Sequence, residues 1–252
     1  MIKREKEILN VLYKFGELSI HELSDLLNAS EASIRRDLVA LNSNRFVERT
    51  RGGIRLATVV NYDILPVSRV PVHQKEIFSI AYCASQIVQP GSVVGLSGGV
   101  LCTQLALNLR HKEGLVVVTN AVNIAVELAC LPSVQVILTR GQLNPGSFEL
   151  VGTALEPSLN GLHIDQYFLG TDGISLEYGV TAHNEPEAAA SLAFIKISES
   201  TIILADSFKF KKVNFAFVAP LSSTKTIVTT EDTPAETLSQ LRQAGIDILI
   251  AN

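Results

Sequence analysis

Tryptophan is absent from these 252 residues, methionine occurs once, and aromatic residues reach only 6%. A core without large rings must rest on Val, Ile, Leu and Ala, as the buried strands of parallel sheets do. Cysteine is scarce. Cys83, Cys102 and Cys130 stand too far apart for the paired spacing of a zinc site, which fits reduced thiols in a cytoplasmic protein. The five histidines show no HxxxH or HExxH spacing, so neither a metal nor a cofactor is expected. No apolar run approaches the roughly 20 residues that span a bilayer. Lys3, Arg4 and Lys6 are not followed by the apolar stretch of a secretion signal.

What is present is apolar: 47% hydrophobic against 18% charged residues, which excludes a disordered chain. The length suits two domains. The net charge of −4 gives no case for nucleic acid, but its distribution is uneven. Residues 1–56 hold ten Lys/Arg and eight Asp/Glu, and the acidic excess lies entirely in the remainder. Arg45, Arg49, Arg51 and Arg55 crowd one short stretch, which alone describes only a solvated face.

Ile2, Ile8, Leu9, Leu12 and Phe15 form a helical stripe that Gly16 ends. Ser19 stands three residues before Glu22, a capping box opening a second helix with Leu23, Leu26 and Leu27 inward. Ser30 caps a third helix to about Leu41, with Ile34, Leu38 and Leu41 buried. Two short helices joined by a tight turn predict a helix-turn-helix. The start of its second helix, with Ser30, Glu31, Ser33, Arg35 and Arg36, is the part that meets base edges and phosphates. Arg35 and Arg36 point about 100° apart, so they do not share one job, and at least one is expected to bind phosphate and only position the helix. Glu31 would repel phosphate and must face a base, solvent or its own helix. Residues 46–56 read as a hairpin with outward charges and a turn at Gly52-Gly53, a wing whose Arg49 and Arg51 suit the DNA backbone or minor groove.

Residues 57–72 lack periodicity and read as a linker. From 73 to 252 the chain alternates, beginning with a helix at 73–89. Strand-like runs fall at 92–96, 115–119, 134–139, 166–170, 201–205, 215–219, 226–229 and 247–250. Helical stretches fall at 101–110, 121–130, 152–160, 185–199 and 234–244. That order predicts a mainly parallel α/β domain. Ligands of such sheets bind beyond the strands' carboxyl ends. The residues there are Ser97, Gly98, Gly99 and Thr103; Thr119 and Asn120; Arg140 and Gly141; Asp172 and Gly173; Asp206 and Lys209. Each alone is a turn or cap. Together they suit a small polar effector, and a phosphorylated sugar fits the mixture of carboxylates, amides and cations.

The stretch SEASIRRDL at 30–38, followed by ERTRGGIRL, resembles the DNA-binding region of the DeoR family of bacterial transcription regulators. That family usually has Thr-Ile-Arg-Arg-Asp-Leu after a Val-Ser turn, then a wing ending His-Gly-Gly-Ala. Here Ala29, Ser33, Arg51 and Ile54 make mild replacements, and Asn44-Arg45 stands where a glycine usually precedes the wing. Thr119-Asn120, Gly141, the Gly170–Ile174 segment and the Ala205–Phe210 segment are similar to the family's sensor domain, so the likeness covers nearly the whole chain. The resemblance implies an α/β sensor with the fold of ribose-5-phosphate isomerase and the CoA transferases. It also implies double-stranded operator DNA and a sugar phosphate as partners, and repression as the usual outcome. Paired half-sites imply a homodimer or homotetramer.

Two departures stand out. Ser97 occupies an acidic position of the first glycine loop, and Val100 and Leu101 replace hydroxyl residues there. The segment Glu187–Leu192 has no lysine where the family often has one. Two other readings stay open. A degenerate sensor would serve only oligomerisation. A sugar-phosphate isomerase would use Asp172 and Asp206 as acid/base groups with Lys209 on phosphate.

Overall fold

The computed structural model describes residues 3–15, 17–43, 47–50, 53–56, 74–129 and 131–252. The expected linker 57–72 lies outside these residues, as do Ile2, Gly16, Asn44, Arg45, Arg51, Gly52 and Cys130. Two compact units are present, Met1–Val72 and His73–Asn252.

The first unit contains α1 (Lys3–Phe15), α2 (Ile20–Leu26), α3 (Glu31–Ser43) and the antiparallel strands β1 (Val47–Arg49) and β2 (Ile54–Leu56). The α2 capping box forms as expected: Glu22 N–H donates to Ser19 Oγ at 3.2 Å, and Ser19 N–H to Glu22 Oε2 at 2.7 Å. Those contacts hold the Glu22 carboxyl below its ordinary pKa, the Ser19 backbone first. Among the described residues nine apolar side chains make the core: Ile8, Leu9, Leu12, Leu23, Ile34, Leu38, Leu41, Val47 and Ile54. Leu27 packs against them, but Leu26 is half exposed rather than inward. On a helix of seven residues, 23 and 27 share a face and 26 falls beside it. Arg4 grips the buried Asp37 through Nε at 2.5 Å and Nη2 at 3.2 Å, pinning α1 to α3.

The hairpin closes with Thr50 N–H donating to the Gly53 carbonyl at 2.9 Å. Gly53 is therefore on the strand side of the closing pair, not at the tip as expected. Leu18 exchanges two backbone hydrogen bonds with Ile54, at 2.9 and 2.8 Å, adding a third strand-like edge. A Cβ on Gly53 would strike the Leu18 carbonyl oxygen, so close backbone approach is what requires glycine here.

The second unit opens with α4 (Gln74–Gln86), β3 (Val93–Leu96), α5 (Val100–Asn108), β4 (Leu115–Thr119), α6 (Val122–Ala129) and β5 (Val134–Leu138). A small hairpin follows, β6 (Gln142–Leu143) and β7 (Leu150–Val151), then α7 (Leu155–Ser158) and β8 (Ile164–Gly170). Next come β9 (Gly173–Ser175), β10 (Gly179–Ala182), α8 (Glu185–Lys196), β11 (Ser198–Leu204), β12 (Ala216–Ala219), β13 (Thr226–Thr230), α9 (Ala235–Gln243) and β14 (Asp247–Ala251). Seven strands form one parallel sheet in the order β14-β13-β11-β8-β3-β4-β5. The core beneath it is aliphatic with few rings, among them Tyr167 stacked on Phe194 at 5.0 Å.

Two helix expectations are corrected, and one expected strand lies outside the main sheet. The run 215–219 does contain a strand, but β12 pairs antiparallel with β10 in a separate three-stranded sheet. Its partners, three and four residues long, are too short to announce themselves by periodicity. The helix expected at 152–160 shrinks to four residues, because Gly152 adopts φ 98°. The helix expected at 185–199 stops at Lys196, since Ser198 already opens β11.

Candidate nucleic-acid interface and sensor edge

The start of α3 separates cleanly into two faces. Ile34, Asp37 and Leu38 are buried, while Ala32, Arg35 and Arg36 are exposed. Ser30 caps the helix: Ser33 N–H donates to Ser30 Oγ at 3.3 Å, and the two hydroxyls lie 3.0 Å apart. Glu31 turns to its own helix, with Oε2 3.3 Å from Arg35 Nη2 and Oε1 3.5 Å from His21 Nδ1. The Arg36 side chain is exposed on this face. A solvated guanidinium beside Ser33 and Ala32 can meet phosphate or a guanine edge. Arg49 sits in β1 opposite Ile54. Its side chain, like the whole of Arg51, lies outside the described residues.

At the carboxyl edge of the large sheet most of the expected residues gather, but their polar groups face inward. Ser97 is buried; its Oγ accepts from Gly170 N–H at 2.9 Å and donates to the Gly98 carbonyl at 3.2 Å, tying β3 to β8. Gly99, at φ 91°, opens α5. Thr103 Oγ1 donates to the Gly99 carbonyl at 2.8 Å and accepts from Asn123 at 2.9 Å. Thr119 Oγ1 donates to the Leu96 carbonyl at 2.7 Å and accepts from Ala121 N–H at 3.0 Å. Asn120 is buried and donates from Nδ2 to the Leu150 carbonyl at 3.2 Å.

The residue that sequence reasoning missed is Glu149. Gly98 N–H donates to its Oε1 at 2.6 Å, so the glycine loop already holds a carboxylate. A carboxylate suits amides at the start of a helix. Its negative charge adds to burial in raising Cys102, pushed up to about 11, and burial first, then Glu149, keeps the buried Tyr167 far above its usual range. Both stay protonated at neutral pH.

A second cluster forms after β8 and β11. Asp172 lies 2.6 Å from His183 Nδ1, accepts from His183 N–H at 3.1 Å, and stands 3.7 Å from Lys209 Nζ. His183 follows β10 and escaped notice with that strand. Asp206 caps the short turn Ser207–Lys209 by accepting from Phe208 N–H at 3.1 Å. The same turn is held from behind by buried Glu76 of α4, which accepts from Ser207 N–H and Thr230 Oγ1, each at 3.0 Å. Gly173 is buried in the small sheet against Lys212, Asn214 and Thr181. Arg140 is exposed; its N–H donates to Ser158 Oγ at 3.2 Å, and its side chain joins neither cluster. Gly141 lies backbone-to-backbone against Val151. At the opposite edge His163, Asp165 and Glu199 come within 4.8 Å of one another, with Asp165 accepting from Val93 N–H. Among the described residues no helix is long and apolar enough to cross a membrane.

A helix-turn-helix with a paired wing, carried on the same chain as an α/β unit with a polar strand edge, defines a two-part transcription regulator. The chain belongs to the DeoR family: the DeoR-like helix-turn-helix domain matches residues 4–60 and the DeoR C terminal sensor domain matches residues 72–231. It is similar to a provisionally named aga operon transcriptional repressor of Escherichia coli, 29% identical over 98% of this chain and 93% of that one. It is also similar to the HTH-type transcriptional regulator GlpR of Haloferax volcanii, 27% identical over 98% of this chain and 96% of that one. Among solved structures, ribose 5-phosphate isomerase A from Neisseria gonorrhoeae aligns with 54% of this chain and 53% of its own, at 18% identity and a TM-score of 0.39.

Proposed function

We propose that this regulator represses an operon of sugar metabolism, and that a phosphorylated sugar or related metabolite at the sensor edge sets its affinity for operator DNA. The observation that carries the DNA part is the split face of α3, with Arg35 and Arg36 exposed and Ile34, Asp37 and Leu38 buried. Ser30 and Ser33 begin that face, Arg35 and Arg36 grip phosphate or base edge, and Arg49 and Arg51 serve the wing. The protein works as a homodimer or homotetramer in the cytoplasm, since one recognition helix reads only a few base pairs. The Asp172–His183–Lys209 cluster and the Asp206 turn supply charged contacts for the effector. Nothing pairs a base with a nucleophile there, which favours sensing over turnover.

The experiment is a duplex selection with the purified full chain, followed by gel shift with Arg35→Ala and Arg36→Ala. The proposal expects an enriched two-fold site whose affinity falls in at least one variant. Unchanged affinity in both overturns the assignment of α3. A sugar-phosphate panel added to the same assay tests the effector.

A further inference from the structure

We propose that Glu149 is the specificity-determining residue of the sensor edge, filling the anion position of the glycine loop so that the effector meets this loop through hydroxyl groups, not phosphate. This rests on the reading of that edge as the effector site.

Three observations converge. First, the loop is built around Glu149. A Cβ on Gly98 would lie 2.5 Å from Glu149 Cγ and Oε1, so the missing side chain makes room for the carboxylate arm. Glu149 is itself held in place: Asn144 N–H donates to its carbonyl at 2.8 Å, and it bridges to Ala121. Leu150, the next residue, donates to the Asn120 carbonyl at 2.7 Å. The backbone that carries the carboxylate is therefore fixed, and the Gly98 amide holds its far end at 2.6 Å.

Second, three hydroxyls at this edge are spent as donors. Ser97, Thr103 and Thr119 give their protons to the carbonyls of Gly98, Gly99 and Leu96. A phosphate, whose oxygens chiefly accept, finds none of these protons and meets a like charge beside Gly98.

Third, Asn120 is 2% exposed and its Oδ1 has no hydrogen-bond partner. The bond from Nδ2 to the Leu150 carbonyl fixes which end is which, since a carbonyl needs a donor. An orphaned buried acceptor next to the chain segment that carries Glu149 calls for a ligand that donates. A sugar hydroxyl does so. The anionic end of a phosphorylated sugar then belongs with Lys209 in the other cluster, 3.7 Å from Asp172.

The test follows the Gly98 amide by NMR while inorganic phosphate is titrated into the full chain, comparing wild type with Glu149→Ala and Glu149→Gln. Alanine empties the cradle; glutamine keeps a neutral acceptor in it. The expected result is a saturable Gly98 shift in Glu149→Ala, at an affinity at least about tenfold above wild type, with Glu149→Gln between. If wild-type Gly98 responds as strongly as Glu149→Ala, or Glu149→Ala does not respond, the proposal is overturned. Should the alanine variant fail to fold, Glu149→Gln decides alone, and an affinity no higher than wild type sinks the idea. Inorganic phosphate and no DNA are used, so this outcome is separate from the sensing assignment. That assignment fails on its own if no sugar or sugar phosphate alters DNA binding.

Discussion

Replacing Gly53 with alanine separates two explanations for a glycine beside a wing. If the residue is glycine because it turns the hairpin, the cost comes from its backbone angles. Gly53 is absent from the glycines with positive φ, so on that view alanine is tolerated. If it is glycine because Leu18 runs against it, the added Cβ meets the Leu18 carbonyl oxygen, the Leu18 carbonyl carbon at 2.7 Å and Ser19 N at 3.0 Å. All three are backbone atoms and cannot swing aside. Relief requires Leu18 and Ile54 to part, which lengthens their hydrogen bonds of 2.9 and 2.8 Å. At about 0.5–1.5 kcal/mol for each bond, the loss is about 1–3 kcal/mol. A factor near thirtyfold in local opening follows from the middle of that range. Amide hydrogen exchange at Leu18 and Ile54 reads it directly. The reasoning predicts faster exchange at both, with amides of the α/β unit unchanged. Wild-type protection at Ile54 in Gly53→Ala would refute the close-approach argument.

Other outcomes follow from the same structure. Arg36→Ala should weaken binding and reduce the slope of log affinity against log salt by about 1 if Arg36 holds a phosphate, measured by anisotropy across a salt series. Asp37→Ala should destabilise the first unit by about 1.5–3 kcal/mol through loss of the paired hydrogen bonds from Arg4, read in denaturant unfolding of that unit. Cys102 gives a pH dependence. Its thiol ionises near 9.0 when unfolded and about 11 when folded, so the unfolded chain loses its proton first. Stability should therefore fall as pH rises from 9 towards 11, by up to about 2–3 kcal/mol from this group, and Cys102→Ala should flatten that limb. Ser19→Ala should cost about 1 kcal/mol at neutral pH. The Glu22 carboxyl is lowered first by the Ser19 backbone N–H, which alanine keeps, so the stabilisation present above 4.5 and lost as pH falls through the folded value should largely persist in the variant.

Elements with strong local chemistry were legible in the sequence. The Ser19–Glu22 box, the α3 stripe at Ile34, Leu38 and Leu41, and the principal parallel strands all declared themselves by caps or by runs of branched residues. The small sheet did not. Strands β9 and β10 are three and four residues long, so no period can establish itself, and β12 was legible as a strand while its pairing with β10 was not. At the carboxyl edge of the sheet most of the residues expected from the strand ends do gather. The strand-end rule could not say that Ser97, Thr103 and Thr119 would donate to backbone carbonyls, because hydroxyl direction is a property of packing. Glu149 was invisible for a different reason. It lies in a six-residue loop between β6 and β7, 51 positions from Gly98, and only the fold brings it there. The same is true of Glu76, which reaches Ser207 across 131 positions. Asp37 was read as part of a motif, whereas its burial and its grip by Arg4 give it a structural task.

The central claim is that α3 reads DNA. Selection of a random duplex library on the full chain, repeated with Arg35→Ala and Arg36→Ala, tests it most directly. The account predicts enrichment of two half-sites related by a two-fold axis, spaced by about one helical turn or a multiple of it, with at least one variant losing the site. No enrichment by the wild type, or the same enriched sequence at the same affinity in both variants, would contradict it.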